Sequence, residues 1–583
     1  MAKILGLSAF FHDAAAALAI DGEIVAAAQE ERFSRQKHDP RLPVEAARFC
    51  LEHAGLRIDD LDHVVFYEKP VRKMERILVT HLRELPRGAA TFARSMATWL
   101  GSRLWAKAEI SEALGCPPDR VLFSEHHLSH AASAYYCSPF ERAAIVTADG
   151  VGEWATTTIA IGETTGAGSR IETLRELRFP HSIGLFYSAI TAYLGFEVNE
   201  GEYKVMGLAS YGEPRFVREM EQLCCLDDDG SLELDLRCFC FHHHPTKSFT
   251  PALERLLGPA RPPGRPLELV GAADEASQRW ADIAASLQAH TERYLLTLAR
   301  AAHGLTGASR LCFAGGVALN SVANGRILRE GPFDDVFVQP AAGDAGGAIG
   351  AALHLEHGVL GGPRRAAMPS PFLGSAWTDD AVRTFLAQTG VPHTTFADTA
   401  ARDHAVAERL ADGKICGWFQ GRFEWGPRAL GARSILADPR RVDTQDRVNL
   451  AVKFREPFRP FAPAVRDGDA SLWFDLGDRP DRLAPYMLTV VPVRPEARVR
   501  LPAITHVDGT ARLQRVRRDD PPGLHGLLDA FAERTGVGVL LNTSMNLKDE
   551  PLVASPAEAY GVFMRSGLDF LVMERSLVER RPS

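Results

Sequence analysis

The chain has 583 residues, too many for one hydrophobic core, so two or three domains are expected. With 46% hydrophobic and 24% charged residues the composition is that of an ordinary globular protein, and a formal net charge of −8 argues against a protein that grips nucleic acid through its phosphates. Nine Cys scattered along the chain fit free thiols in a reducing cytoplasm, and no run of ~18 uncharged apolar residues offers a membrane span.

The N-terminal stretch MAKILGLSAFFHD is broken by His12 and Asp13, so no secretion signal is expected. KILGLSAF reads as an apolar strand, and AAAALAIDGEIVAAA as two strands joined at the hairpin dipeptide Asp21-Gly22. A helix starts near Pro43, with Ala46, Ala47, Cys50 and Leu51 at helical spacing, and LDHVVF is another strand. The arrangement returns in RAAIVTADGVGEWATTTIAIGE, a strand, an Asp-Gly turn and a strand. The copies close on EERF and ELRF, which predicts a duplicated two-lobed domain. Further on, LCFAGGVALNSVANGRIL is strand, Gly315-Gly316 and helix; DDVFVQPAAGDAGGAIGAALHLEHG is strand, loop and helix. Glycines at such turns let a ligand approach the backbone, and the helix N-terminus behind them suits phosphate. The segment GGPRRAAMPSPFLG reads as a linker. The expected division is 1–360, linker 361–376, and 377–583.

EHHLSHAASAYY places His126 and His130 at i, i+4, on one face of a helix, where both imidazoles can bind one metal. Position 127 is His, so the zinc-protease pattern H-E-x-x-H is missing its base. Asp149 in TADG and Asp344 in AAGDAGG can complete a set that suits iron(II), manganese or zinc; the alternative is a His-rich helix start with no metal. No G-x-x-x-x-G-K-[ST] is present, so a nucleotide must sit on other turns: Asp149-Gly150, Gly315-Gly316, Gly343 to Gly347, or GEYKVMGLASYGEP with Lys204 and Gly207. Paired turns in a duplicated two-lobed α/β domain point to the actin, heat-shock ATPase and sugar-kinase superfold.

Toward the C-terminus, GRFEWGPRALGARSILADPR carries Arg422, Arg428 and Arg433, and AVKFREPFRPFAPAV carries Lys453, Arg455 and Arg459. Cations held among Gly, Pro and Phe suit phosphate or carboxylate clamps. Arg512 in HVDGTARLQ and Asn542, Thr543 and Ser544 in LLNTSMN add anion-binding groups. His12, at the first turn, is either a general base for a hydroxyl or a structural His. CFCFHHH lacks zinc-finger spacing and reads as a strand with Cys on one face.

These stretches, together with EERFSRQKHD, TADGVGEW and FREPFRPFAPAV, run in order along nearly the whole chain. In this order they resemble the carbamoyltransferases that modify nodulation factors and antibiotics. The resemblance implies an N-terminal actin-like (ASKHA) domain similar to tRNA-threonylcarbamoyl synthases and a C-terminal YrdC-like α/β domain. The C-terminal domain would make carbamoyl-adenylate from carbamoyl phosphate and ATP with Mg2+, and the N-terminal domain would pass the carbamoyl group to a hydroxyl.

Carried over residue by residue, the resemblance makes His126, His130, Asp149 and Asp344 ligands of iron(II) or another divalent ion. His12 and Lys37 fall at the transfer site. Lys204, Gly207, Gly315, Gly316 and Asn320 fall in a nucleotide cradle, and Arg428, Lys453, Arg459, Arg512 and Ser544 in a carbamoyl-phosphate clamp. The expected partner is a small-molecule hydroxyl acceptor in the cytoplasm, with no nucleic acid, no membrane and a homodimer. The acceptor pocket would be shaped by loops over Phe66 to Glu109 and Leu174 to Asn199. Competing readings are carbamoylation of a tRNA or protein, and a sugar kinase or nucleotide sensor. Hydrogenase maturation factors share the chemistry but carry paired C-x-x-C segments, which this sequence does not have.

Overall fold

Ile4, Leu5 and Leu7, and the alanine run Ala14 to Ala19, leave no polar face for water, and both segments become central strands buried on both sides. The computed structural model describes residues 2–580 apart from 87, 102, 167, 245, 270–273, 365–367, 369, 454, 455, 457 and 522. Strands β1 (Lys3–Ser8), β2 (Ala15–Ile20), β3 (Glu23–Gln29), β4 (His63–Phe66) and β5 (Val121–Phe123) make one sheet, in the order β3-β2-β1-β4-β5. Asp21 and Gly22, at φ 51° and 77°, form the predicted hairpin turn between β2 and β3.

A second sheet contains β6 (Arg142–Ala148), β7 (Ala155–Thr165) and β8 (Gly168–Arg178). After a small ribbon, β9 (Cys224–Leu226) with β10 (Leu232–Leu234), it is completed by β11 (Arg310–Ala314) and β12 (Asp335–Phe337). Its order, β8-β7-β6-β11-β12, repeats the first sheet strand for strand. In both, the first strand runs antiparallel to the second and parallel to the fourth. The chain therefore has the duplicated, two-lobed actin-like architecture.

The duplication pairs different turns from those the sequence suggested. Asp149-Gly150 follows the first strand of its sheet, so its counterpart is the His12-Asp13 turn after β1, not Asp21-Gly22. The stretches expected as loops are largely helical, with helices Pro70–Glu84, Ala89–Gly101 and Ile183–Tyr193. CFCFHHH is not a strand either. Cys238, Phe239 and Cys240 are all buried in a turn closed by a Phe239–Phe249 bridge.

The C-terminal half folds around β13 (Thr394–Thr395), β14 (Cys416–Phe419), β15 (Arg433–Ala437), β16 (Ala462–Arg466), β17 (Val490–Pro492), β18 (Thr510–Arg512), β19 (Gln514–Val516), β20 (Val539–Ser544), β21 (Phe570–Met573) and β22 (Ser576–Glu579). Eight of these form one mixed sheet, β13-β22-β21-β14-β15-β20-β16-β19, and β17 pairs with β18 apart from it. Side-chain alternation divides the sheet into two cores. Phe419, Ile435, Leu541 and Leu571 face one layer, and Trp418, Leu436, Leu540 and Phe570 the other.

The halves are joined by backbone-directed bonds. Arg32 donates to the Gly426 carbonyl at 2.9 Å, Arg422 to Val25 at 3.1 Å, and Asn324 to Leu488 at 3.1 Å. Among the described residues no helix is long and apolar enough to cross a membrane.

Candidate active site

Helix His126–Tyr135 follows β5, and helix Asp344–Leu353 follows β12, so they are the same element of the two copies. They cross in direct backbone contact: a Cβ at Gly350 would lie 1.7 Å from the Ser129 carbonyl oxygen. This crossing sets the two histidines, one turn apart, against Asp344 at the start of its helix. Asp149, in the turn after β6, completes the group. His126 Nε2 lies 3.1 Å from both His130 Nε2 and Asp149 Oδ2, and 3.7 Å from Asp344 Oδ1. His130 Nε2 lies 3.4 Å from Asp344 Oδ1 and 3.7 Å from Asp149 Oδ2. Donors bonded at ~2.1 Å to one ion stand about 3–3.5 Å apart, so this spacing fits a single divalent cation.

The charges fit too. A buried and a half-buried carboxylate beside two imidazoles carry the charge that one divalent ion cancels, and no Lys or Arg bridge to either carboxylate is found among the described residues. Burial disfavours a charged His130, but Asp149 and Asp344 outweigh it and lift its pKa to about 9. Burial also opposes the Asp149 carboxylate, yet the two histidines hold it well below the ordinary range. The Nδ1 atoms of His126 and His130 are buried without a hydrogen-bond partner, so both rings spend their polar contacts on the shared centre. The surroundings fix these side chains. The Gly316 N–H donates to Asp149 Oδ1 at 2.8 Å, the Tyr67 hydroxyl to Asp344 Oδ2 at 3.5 Å, and the His126 N–H to Glu153 at 3.1 Å.

His12 stands beside this centre, its Nε2 3.9 Å from Asp344 Oδ2. Asp13, at φ 53°, bridges two histidines, with Oδ2 3.0 Å from His12 Nδ1 and Oδ1 2.8 Å from His38 Nδ1. Asp13 thereby fixes the His12 ring and turns its Nε2 toward the cluster. Burial opposes the charged ring, but Asp13, Asp344 and Asp149 lift His12 to about 9. A cation that neutralised Asp344 and Asp149 would remove their share of that lift. Lys37 is ion-paired with Glu200. Asp13, His38 and Glu200 were not singled out from the sequence; the adjacency of His12 and Asp13 was the one available signal.

The expected nucleotide cradle is divided. Gly315 and Gly316 belong to the cluster: Gly315 has φ 93°, and a Cβ there would meet the Ala148 carbonyl oxygen at 2.2 Å. Asn320 instead caps the next helix and exchanges hydrogen bonds with Gln288. Lys204 and Gly207 face the C-terminal half, Lys204 Nζ lying 3.6 Å from Glu456 Oε1 and Gly207 against Pro460.

Near them lies a cationic group. The Arg459 guanidinium stacks 4.6 Å over the Tyr203 ring, which sequence reading had not marked, and stands 3.7 Å from Glu456. Arg428 has its Nε buried with no hydrogen-bond partner. Burial lowers Arg428 to about 10, Tyr203 opposing that shift and Arg459 adding to it. Asn542 ties this region to the sheet, donating to the Ala429 carbonyl at 3.2 Å and to Gln514 at 2.7 Å, two residues beyond Arg512. Ser544 ends β20 and pairs with Asn546.

Not every expected cation is available for a ligand. Arg422 is spent on the carbonyls of Leu373, Gly374 and Val25, and Arg433, fully buried, on those of Gln420 and Gly421. Arg455 and the Lys453 side chain lie outside the described residues.

The family model described as the carbamoyltransferase N-terminus matches residues 3–353, and the one described as the carbamoyltransferase C-terminus matches 407–580. The chain is 44% identical to an uncharacterized protein of Synechocystis, covering 100% of this chain and 97% of that one. It is 39% identical to the nodulation protein NolNO of Sinorhizobium fredii, over 98% of this chain and 79% of that protein. A 3'-hydroxymethylcephem-O-carbamoyltransferase of Streptomyces clavuligerus is 38% identical over 45% of this chain and 47% of its own length.

Proposed function

The chain belongs to the carbamoyltransferase family, and from that premise we propose an ATP-dependent O-carbamoyltransferase acting on a hydroxyl of a small natural product or sugar. The observation that carries the reading is the juxtaposition of His12 with the His126/His130/Asp149/Asp344 cluster, a base beside a cation-binding centre. The proposed division is 1–360 for transfer, 361–376 as linker and 377–583 as a YrdC-like adenylate-forming domain; the two family matches fall on either side of that linker.

In the C-terminal half, Arg428, Arg459, Lys453, Arg512 and Ser544 hold carbamoyl phosphate and ATP. Two polyanions repel, so cations with spare donors must bring them together; the unpartnered Nε of Arg428 supports that role. Water cleaves carbamoyl phosphate to carbamate and phosphate, and a carbamate oxygen then bonds to the α-phosphorus of ATP as pyrophosphate leaves, giving carbamoyl-adenylate. A mixed anhydride hydrolyses readily, and protein on both sides keeps water from it.

In the N-terminal half, His126, His130, Asp149 and Asp344 would hold iron(II) or another divalent ion, which supplies charge neutralisation for the departing AMP. His12 Nε2 takes the proton of the acceptor hydroxyl, whose oxygen then bonds to the carbamoyl carbon as the bond to AMP breaks. Asp13 keeps the accepting nitrogen aimed at the cluster and stabilises the charged ring that results.

Pyrophosphate release from ATP, measured with and without carbamoyl phosphate and with no acceptor, tests the first half. Release that requires carbamoyl phosphate is expected. ATP turnover indifferent to carbamoyl phosphate would instead point to a sugar kinase or a nucleotide sensor on the same two-lobed fold.

A further inference from the structure

A second convergence of metal-binding side chains lies where helix Pro70–Glu84 ends against the 238–249 turn. His242 Nε2 stands 3.7 Å from Glu84 Oε1 and 3.0 Å from His243 Nδ1, and His243 Nδ1 stands 4.0 Å from Glu84 Oε2. The donor atoms of Glu84, His242 and His243 all lie within 4.8 Å of one another. The two rings meet nearly edge to face, 77° between planes, so their lone pairs converge without stacking. His242 is buried, and its Nδ1 has no hydrogen-bond partner. His81, one turn earlier on the helix, is also buried with an unpartnered Nδ1. Four ionisable side chains thus gather at a helix end with few internal bonds, an expensive arrangement unless an ion or proton organises it.

We propose that Glu84, His242 and His243 form a divalent-cation site, separate from the candidate active site, for an ion of the zinc, cobalt or nickel class. Two imidazoles and one carboxylate are the donors such borderline ions prefer, and three protein ligands leave the remaining position to water. The site needs no part of the carbamoyl-transfer reading.

Its position gives the ion a task. Helix Pro70–Glu84 is tied at its other end to the candidate active site. The Lys69 N–H donates to Glu153 Oε1 at 2.7 Å, the carboxylate that also receives the His126 N–H. Arg76 donates to the Gly152 carbonyl at 2.9 Å, in the loop that follows Asp149. Arg76 also stacks 5.1 Å over Phe179, which meets Phe241 edge to face, next to His242. Phe241 and the ion together clamp the helix to the 238–249 turn and so brace the loop carrying Asp149. The competing arrangement is one proton shared between the two rings, which takes up no metal.

The test uses the full chain, stripped with chelator and reloaded with Zn2+, with bound metal counted by equilibrium dialysis and elemental analysis. The wild type is expected to retain two equivalents. The double variant His126→Ala/His130→Ala should retain one, and Glu84→Gln should also retain one. Combining all three substitutions should leave none. With Co2+ in the His126→Ala/His130→Ala protein, a visible d–d band is expected that Glu84→Gln removes. His243→Gln repeats the test at a partly exposed ring should Glu84→Gln fold poorly. Metal uptake by Glu84→Gln and His243→Gln equal to the wild type, or no band in the cobalt protein, would overturn the site.

Discussion

The His/Asp cluster of the N-terminal half and the Arg428 region of the C-terminal half hold their charges in opposite ways. In the first, the donors come from equivalent elements of a duplicated fold, the helices after β5 and β12 and the turn after β6, and they answer one another within 3.1–3.7 Å. In the second, residues distant in sequence gather with cations in excess: Lys204 and Arg459 share Glu456, and Arg428 Nε has no partner. On the proposed reading the first site receives a cation and the second receives anions. That contrast is the physical content of the proposed two-step reaction.

The comparison can be broken by separating the sites. His130→Ala removes one of the four proposed ligands. It is expected to lower carbamoyl transfer by several kcal/mol of lost charge stabilisation, roughly 10³-fold, while pyrophosphate release persists. Elemental analysis of the same protein should show the matching metal loss. Arg428→Ala is expected to do the reverse, lowering carbamoyl-phosphate-dependent pyrophosphate release by about 10²–10³-fold and leaving bound metal unchanged. Loss of metal in Arg428→Ala would show that the two regions are not independent.

Smaller effects sharpen the N-terminal side. His12→Gln keeps a polar side chain beside Asp344 but removes the base, and a fall in transfer of about 10²-fold is expected, with metal content intact. Unchanged transfer would reduce His12 to a structural contact of Asp13. Glu200→Gln unpairs Lys37 at a partly exposed position, where an ion pair contributes ~1 kcal/mol or less, so a change of only about 2–5-fold in acceptor KM is expected.

Legibility followed the same contrast. The i, i+4 spacing of His126 and His130 and the hairpin at Asp21-Gly22 are local features, and local geometry fixed them. The duplicated two-lobed architecture could be anticipated because its hydrophobic runs repeat, although the turns that correspond could not. In the C-terminal patch the resemblance selects Arg428, Lys453, Arg459 and Arg512, while Arg422 and Arg433 stand in the same motif as further candidate clamps; burial and carbonyl contacts use those two, which no local pattern reveals. Asp13 bridging His12 and His38 depends on a left-handed turn meeting a segment 25 residues away. Lys204 turned toward Glu456 rather than the Gly315 turn because its helix packs on the C-terminal half, a tertiary choice. Helix Pro70–Glu84 carries an apolar stripe on a charged background that periodicity can find, whereas Ala89–Gly101, with Arg94 its one charged residue, offers no such contrast.

The most direct measurement runs both half-reactions on two proteins, His130→Ala and Arg428→Ala, supplied with ATP, carbamoyl phosphate and an acceptor carrying a free hydroxyl. The account predicts a crossed pattern: His130→Ala releases pyrophosphate without forming carbamate ester, and Arg428→Ala does neither but transfers from added carbamoyl-adenylate. If both variants lose both activities alike, including transfer from supplied carbamoyl-adenylate, the separation of a cation-centred transfer site from an anion-binding activation site is wrong.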